Sequence, residues 1–147
     1  MSAIFAGSKQ TVNAAYSTTT SDAVVGNVAG CLGAIAIAVK ITHLSGSAAS
    51  TLTPSCTNRD TAGSEGNNGV GQTFTSDPTT GITGANAPAM FVLYPAGGMP
   101  VVWPSVILYL KAATAAEVVK IEAWPIFTDP TRQRGSVTTL QQLSLPA

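Results

Sequence analysis

Met90-Phe91-Val92-Leu93-Tyr94-Pro95-Ala96-Gly97-Gly98-Met99-Pro100-Val101-Val102-Trp103-Pro104-Ser105-Val106-Ile107-Leu108-Tyr109-Leu110-Lys111 and, after a short Ala/Thr stretch, Glu117-Val118-Val119-Lys120-Ile121-Glu122-Ala123-Trp124-Pro125-Ile126-Phe127 decide how this chain folds. The pattern predicts three strands. Met90 to Tyr94 is a short apolar run closed by Pro95-Ala96-Gly97-Gly98, the punctuation of a strand buried on both faces. In the last run Val119, Ile121 and Ala123 alternate with Lys120 and Glu122, and a period of two separates aliphatic from charged residues.

A turn centred on Ala113–Ala116 makes the second and third runs a hairpin. Its register pairs Leu110 with Val119, Leu108 with Ile121 and Val106 with Ala123 on one aliphatic face. Tyr109 then falls beside Lys120, Ile107 beside Glu122, and Pro104 opposite Pro125. Proline donates nothing to a ladder, so pairing is expected to stop or bulge at those prolines. Trp103 and Trp124 precede them, placed as core or interface anchors.

Working outward, Gly30 to Leu44 reads as another strand. Ile35, Ile37, Val39 and Ile41 take one face; Ala34, Ala36, Ala38, Lys40 and Thr42 take the other. The alanine face permits close approach of a second sheet or subunit. His43 follows on the aliphatic side and has no second histidine to join it in a metal site.

Met1 to Ser21 reads as an extended arm ending in a strand near Gln10 to Thr18. Residues 45–88 are rich in Ser, Thr, Asn, Gly and Pro and read as a long polar loop with one short hairpin near Val70 to Thr75. Residues 128–147 follow Asp129-Pro130 as a second arm, with Val137, Leu140, Leu143 and Leu145 loosely spaced. The organisation expected is thus an arm at 1–21, a β-sandwich at 22–127 containing the 45–88 loop, and an arm at 128–147. The fold class is all-β, an antiparallel sandwich or jelly-roll-like single domain. One helical turn at Ala112 to Val118 is the sole helix the pattern allows.

Composition narrows the function classes. Charged residues are 10% of 147, against about a quarter in ordinary soluble domains. Lys plus Arg and Asp plus Glu number seven each, so no net charge steers the chain to nucleic acid or an anionic membrane. Val24 to Val39, the most apolar window, is broken by glycines and falls short of a membrane span. Met1 to Tyr16 lacks the pattern of a secretory signal. In that setting Cys31 and Cys56 are expected as free thiols.

Common chemistries lack their residues. The glycine cluster at Gly66 to Thr73 has no Lys-Ser/Thr ending and no helix to follow it, so it reads as turns rather than a phosphate loop. His43 is the sole candidate base, and no nucleophile elbow occurs. Asp60 and Glu65 share one loop without the spacing of a calcium-binding EF-hand. No catalytic, cofactor or metal residue is therefore nominated, and no cofactor is expected.

A small uncharged β-domain rich in Ser, Thr, Ala and Gly, with a polar loop and extended ends, resembles the decoration or cement proteins of tailed bacteriophages. The resemblance spans the chain in composition and layout and has no diagnostic motif, so no residue role is carried over. It implies a non-enzymatic virion protein, assembled in the host cytoplasm, that decorates or cements a capsid lattice through its polar loop and arms, bound to a capsid or other virion protein. A homo-oligomer is expected, a trimer above others because lattices offer local three-fold sites. Neither nucleic acid nor membrane is an expected partner. Candidate interface residues are Ala34, Ala36, Ala38, Trp103, Trp124, Phe74 in the loop, and Leu143 and Leu145 in the tail. The alternative is a receptor- or carbohydrate-binding module, with loop residues and a tryptophan stacking on ligand.

Overall fold

The described residues form ten strands: β1 (Phe5–Ala6), β2 (Gln10–Ser17), β3 (Ala23–Ala29), β4 (Ala36–Gly46), β5 (Thr51–Thr57), β6 (Phe74–Asp77), β7 (Ile82–Thr83), β8 (Ala89–Pro95), β9 (Ser105–Ala112) and β10 (Glu117–Phe127). The computed structural model describes residues 4–46, 51–57, 72, 74–78, 82–83, 89–114 and 117–128. One sheet has six strands, ordered β1-β10-β4-β8-β6 with β2 also paired to β10, and the other has four, ordered β3-β9-β5-β7. All pairings are antiparallel. The two sheets pack on a shared apolar core, so the chain is an all-β sandwich.

Val106, Leu108 and Leu110 from β9 and Val119, Ile121 and Ala123 from β10 all lie in that core. The expected hairpin between them does not form. β9 runs between β3 and β5 in the four-stranded sheet, while β10 pairs with β4 on one side and with β1 and β2 on the other. The aliphatic faces therefore oppose one another across the sandwich instead of lying side by side. Alternation specifies which side chains point inward but not whether two inward faces share a sheet. Ala112 ends β9 and Glu117 begins β10, so the described residues of Ala112 to Val118 form no part of the helical turn the pattern allows there; residues 115 and 116 lie outside the described residues.

Pro125 lies where the partner of β10 changes. β2 pairs as far as Ala123 with Gln10, and β1 takes over at Ile126 with Ala6. The missing proline donor thus falls at a gap between two ladders. Gly7 bridges it, donating its N–H to the Pro125 carbonyl at 2.7 Å. A Cβ on Gly7 would stand 2.7 Å from Pro125 Cγ, so the approach requires glycine.

Three further expectations need correction. Met90 to Tyr94 is buried on one face only: Ala89, Phe91 and Leu93 point into the core, while Met90 and Tyr94 are exposed. Ile35 leaves the aliphatic face and is exposed, whereas Ala34 is wholly buried. The chain turns just before β4, with Ala34 N–H bonded to the Cys31 carbonyl at 2.9 Å, and the parity of the strand starts only at Ala36. Finally, the long polar loop contains β5, an inner strand of the four-stranded sheet. Leu52, Pro54 and Cys56 point inward there between threonines and a serine. Pro54 lies beyond the β7 pairing, which ends at Leu52, on a part of β5 whose described neighbour is β9 alone. β6 pairs with β8 rather than forming a local hairpin, and residues 70, 71 and 73 of the hairpin expected there lie outside the described residues.

One side of the sandwich is sealed by side chains. Gln10 donates its amide N–H to the Ala29 carbonyl and accepts the Ala29 N–H, both at 2.8 Å, and Asn13 donates to the Val25 carbonyl at 3.3 Å. These bonds satisfy main-chain groups of β3 that would otherwise form an open edge.

Candidate interaction surface

The register of the six-stranded sheet assembles its outer face row by row. Ile37, Val39 and Ile41 point inward and are fully buried, which turns Ala36, Ala38 and Lys40 outward. Trp124, Ala38 and Val92 are Cα partners across β10, β4 and β8; toward the sheet end Ile126 is the partner of Ala36, and Tyr94 that of Thr75. Cross-strand neighbours stand about 5 Å apart at Cβ, so two methyl groups form a floor between aromatic and branched walls. The methyls are nearly covered, Ala36 being 7% and Ala38 3% exposed. No charged side chain stands in these rows except Asp77 at the β6 end, opposite Val92.

The other half of the same face is ionic. Glu122 faces Lys40 across β10 and β4, and its Oε2 lies 3.6 Å from Lys9 Nζ and 3.7 Å from Lys120 Nζ. Such partly solvated pairs contribute about 0–1 kcal/mol each. The face is therefore divided into an uncharged half of alanine, aromatic and aliphatic groups and a lysine-rich half.

A groove of about 700 Å³ continues the uncharged half around the sheet end. Ile35, Ala36, Thr75, Tyr94 and Met99 line it with the tight turn at Ala96–Gly98. That turn needs its glycines: φ is 82° at Gly97 and 74° at Gly98, a left-handed region costly for other residues. The rim is apolar, with Ile35 37%, Tyr94 39% and Met99 58% exposed.

The candidates chosen from sequence separate. Ala36, Ala38 and Trp124 come together on the outer face. Ala34 does not, because it is a core residue. Trp103 is half-buried in the segment that leads into β9 of the other sheet, whereas Trp124 lies on β10. Phe74 pairs with Pro95 at the inner side of β6 and packs against the core. Leu143 and Leu145 lie outside the described residues, as do Asp60 and Glu65. Sequence reasoning misses the groove because Pro95 to Gly98 reads as punctuation that closes a strand. Its uncharged, glycine-bearing sequence between two strands was the available signal.

His43 also has a partner that spacing did not reveal. Its Nδ1 lies 2.8 Å from Oε2 of Glu117, whose carboxylate is entirely buried. Val119 stands between Tyr16 and His43 in the register, and among the described residues neither the Tyr16 hydroxyl nor Glu117 Oε1 has a hydrogen-bond partner. Thr18, the hydroxyl in this network, donates to the Glu117 carbonyl at 3.2 Å rather than to the imidazole. The Thr18 N–H adds a bond to the same carbonyl at 3.0 Å. No group of three potential metal ligands occurs among the described residues. The pair knits the ends of β2, β4 and β10.

Cys31 and Cys56 are buried and unbridged. Burial pushes the Cys31 thiol up to about 12 from 9.0, against a smaller opposing effect of a hydrogen bond with the Val106 backbone. Burial, and then the neighbouring Cys31, raise Cys56 well above the ordinary value too. Thiols held protonated in an apolar core are poor nucleophiles and poor metal ligands. No helix among the described residues is long and apolar enough to cross a membrane. Comparison with protein families, curated proteins and solved structures found no match.

Proposed function

We propose that this chain is a non-enzymatic virion protein that decorates or cements a capsid lattice as a homo-oligomer, a trimer above other states, through the outer face of its six-stranded sheet and its arms. The observation that carries the reading is the uncharged half-face, where Trp124, Val92, Tyr94 and Ile126 surround the alanine floor. Apolar surface of this kind on a chain with no net charge and few charges favours association. Small residues let a partner's backbone approach closely, and the surrounding lysines and Glu122 restrict how it docks. The resemblance in composition and layout to phage decoration proteins supplies the class of partner.

The same surface favours one other reading. Tyr94 and Trp124 are outward aromatics flanking small residues, an arrangement suited to stacking on a sugar ring. A carbohydrate- or receptor-binding module is the alternative.

Sedimentation with purified capsids from which decoration protein has been stripped separates the two. The chain should pellet at saturating, stoichiometric ratios, and Ala38→Lys should prevent pelleting while leaving the far-ultraviolet β signal unchanged. Retention on a cell-surface glycan column without capsid binding would overturn the lattice reading in favour of the binding module.

A further inference from the structure

Resting on the lattice reading above, we infer that the lysine-rich half of the outer face binds carboxylates of the partner protein, which presents acidic side chains about 7 Å from the apolar group it seats on the alanine floor. Three observations carry it. The first is the distribution of charge. The chain as a whole is neutral, yet three of its four lysines, Lys9, Lys40 and Lys120, surround Glu122 on this one face. The fourth, Lys111, is exposed on β9 in the opposite sheet. Three ammonium groups around one carboxylate leave a surplus of two positive charges. Asp77, the other acid of the face, lies on β6, three strands from Glu122 in the order β10-β4-β8-β6.

The second is that the lysines can take a further acceptor. Lys9 and Lys120 are 54% and 40% exposed, whereas Glu122 is 10% exposed. Their ammonium groups stand 3.6 and 3.7 Å from Glu122 Oε2, beyond hydrogen-bond length, so neither contact occupies one of the three donors each carries.

The third concerns the kind of anion. A nucleic-acid backbone carries its charges in an unbroken line, which would set phosphates against Glu122 and over the uncharged rows. A protein surface intersperses single carboxylates with apolar side chains. The rows match that pattern: Glu122 and Lys40 lie two residues along from Trp124 and Ala38, and Lys120 and Thr42 lie two farther. Each step is about 7 Å at about 3.3 Å per residue, the spacing of alternate residues on an extended partner strand. A second copy offers on this face Glu122, already held between lysines, and Asp77 at the β6 edge, so a different protein fits better.

Sedimentation with stripped capsids at two salt concentrations tests this. The unmodified chain should bind about ten-fold more tightly in about 0.05 M than in about 0.5 M NaCl, because salt screens contacts of this kind. The triple variant Lys9→Gln/Lys40→Gln/Lys120→Gln should bind about ten-fold more weakly at low salt and lose the salt dependence, while Lys111→Gln behaves as the unmodified chain. Capsids whose carboxylates have been amidated with carbodiimide and glycinamide should bind the unmodified chain as weakly as untreated capsids bind the triple variant. That arm uses the native chain alone, so it stands whatever the triple variant does to folding. Unchanged pelleting of the triple variant would overturn the inference and leave the lattice reading intact; a lowered urea midpoint in the same variant would then assign the lysines to carboxylates of their own chain. Salt-sensitive binding that survives amidation would assign them to phosphate and overturn it as well. If the unmodified chain does not pellet at either salt concentration, the lattice reading falls and this inference with it.

Discussion

Truncating Ile121 measures the opposed faces of β9 and β10 directly. Ile121 is 1% exposed at the centre of β10, with Ile41 and Asn13 as Cα partners on either side. Ile121→Ala removes Cγ1, Cγ2 and Cδ1, about 2.4 kcal/mol of transfer free energy at about 0.8 kcal/mol per buried carbon. Neighbours on both sheets restrict collapse of the space left behind, and the cavity brings the expected loss to about 2–5 kcal/mol. Against a total of about 5–15 kcal/mol for a domain, this is a large fraction. Lys120→Ala, one residue away, is the control. Its side chain is 40% exposed and its contact with Glu122 spans 3.7 Å, so the loss should stay below about 1 kcal/mol. Urea unfolding followed by tryptophan fluorescence should give a lower midpoint for Ile121→Ala with an unchanged slope, and a near-native midpoint for Lys120→Ala. Equal midpoint shifts would refute the inward assignment of Ile121 and with it the phase of β10.

His43→Ala should destabilise more than Glu117→Gln, because the first leaves the buried Glu117 Oε2 without its described hydrogen-bond partner while the second keeps a hydrogen-bonding group there; the loss for His43→Ala should be about 1–3 kcal/mol by calorimetry or urea titration at neutral pH. Stability should also fall between pH 9 and 12. Burial pushes the Cys31 thiol up to about 12 from 9.0 and raises Cys56 as well, so the unfolded state releases these protons first; Cys31→Ala should reduce the slope of stability against pH there and leave the part that Cys56 contributes. A thiol reagent at pH 8 should leave both cysteines unmodified in the native protein and label both after denaturation without reductant. Gly7→Val should lower the urea midpoint by about 1–3 kcal/mol, since its Cβ meets the Pro125 ring at 2.7 Å; a neutral outcome would show that β1 does not bridge the gap at Pro125.

Local alternation alone determined the all-β class and the inward sets Ile37, Val39, Ile41 and Val119, Ile121, Ala123, because a period of two is a property of neighbouring residues. The same logic set Ala36 and Ala38 opposite the aliphatic face of their strand, while the β10–β4 register placed Trp124 beside them. Tertiary structure decided everything that depends on distant partners. It separated β9 from β10, since an aliphatic stripe can be buried equally well beside or opposite another. It recruited Thr51 to Thr57 into the four-stranded sheet, where pairing with β9 compensates for threonines and a proline of weak apolar character. Register across four strands created the alanine floor, and the bend before β4 sent Ala34 inward and Ile35 out to the groove rim. His43 met Glu117 because β4 ends beside the start of β10, a proximity between residues far apart in the chain that no local spacing encodes.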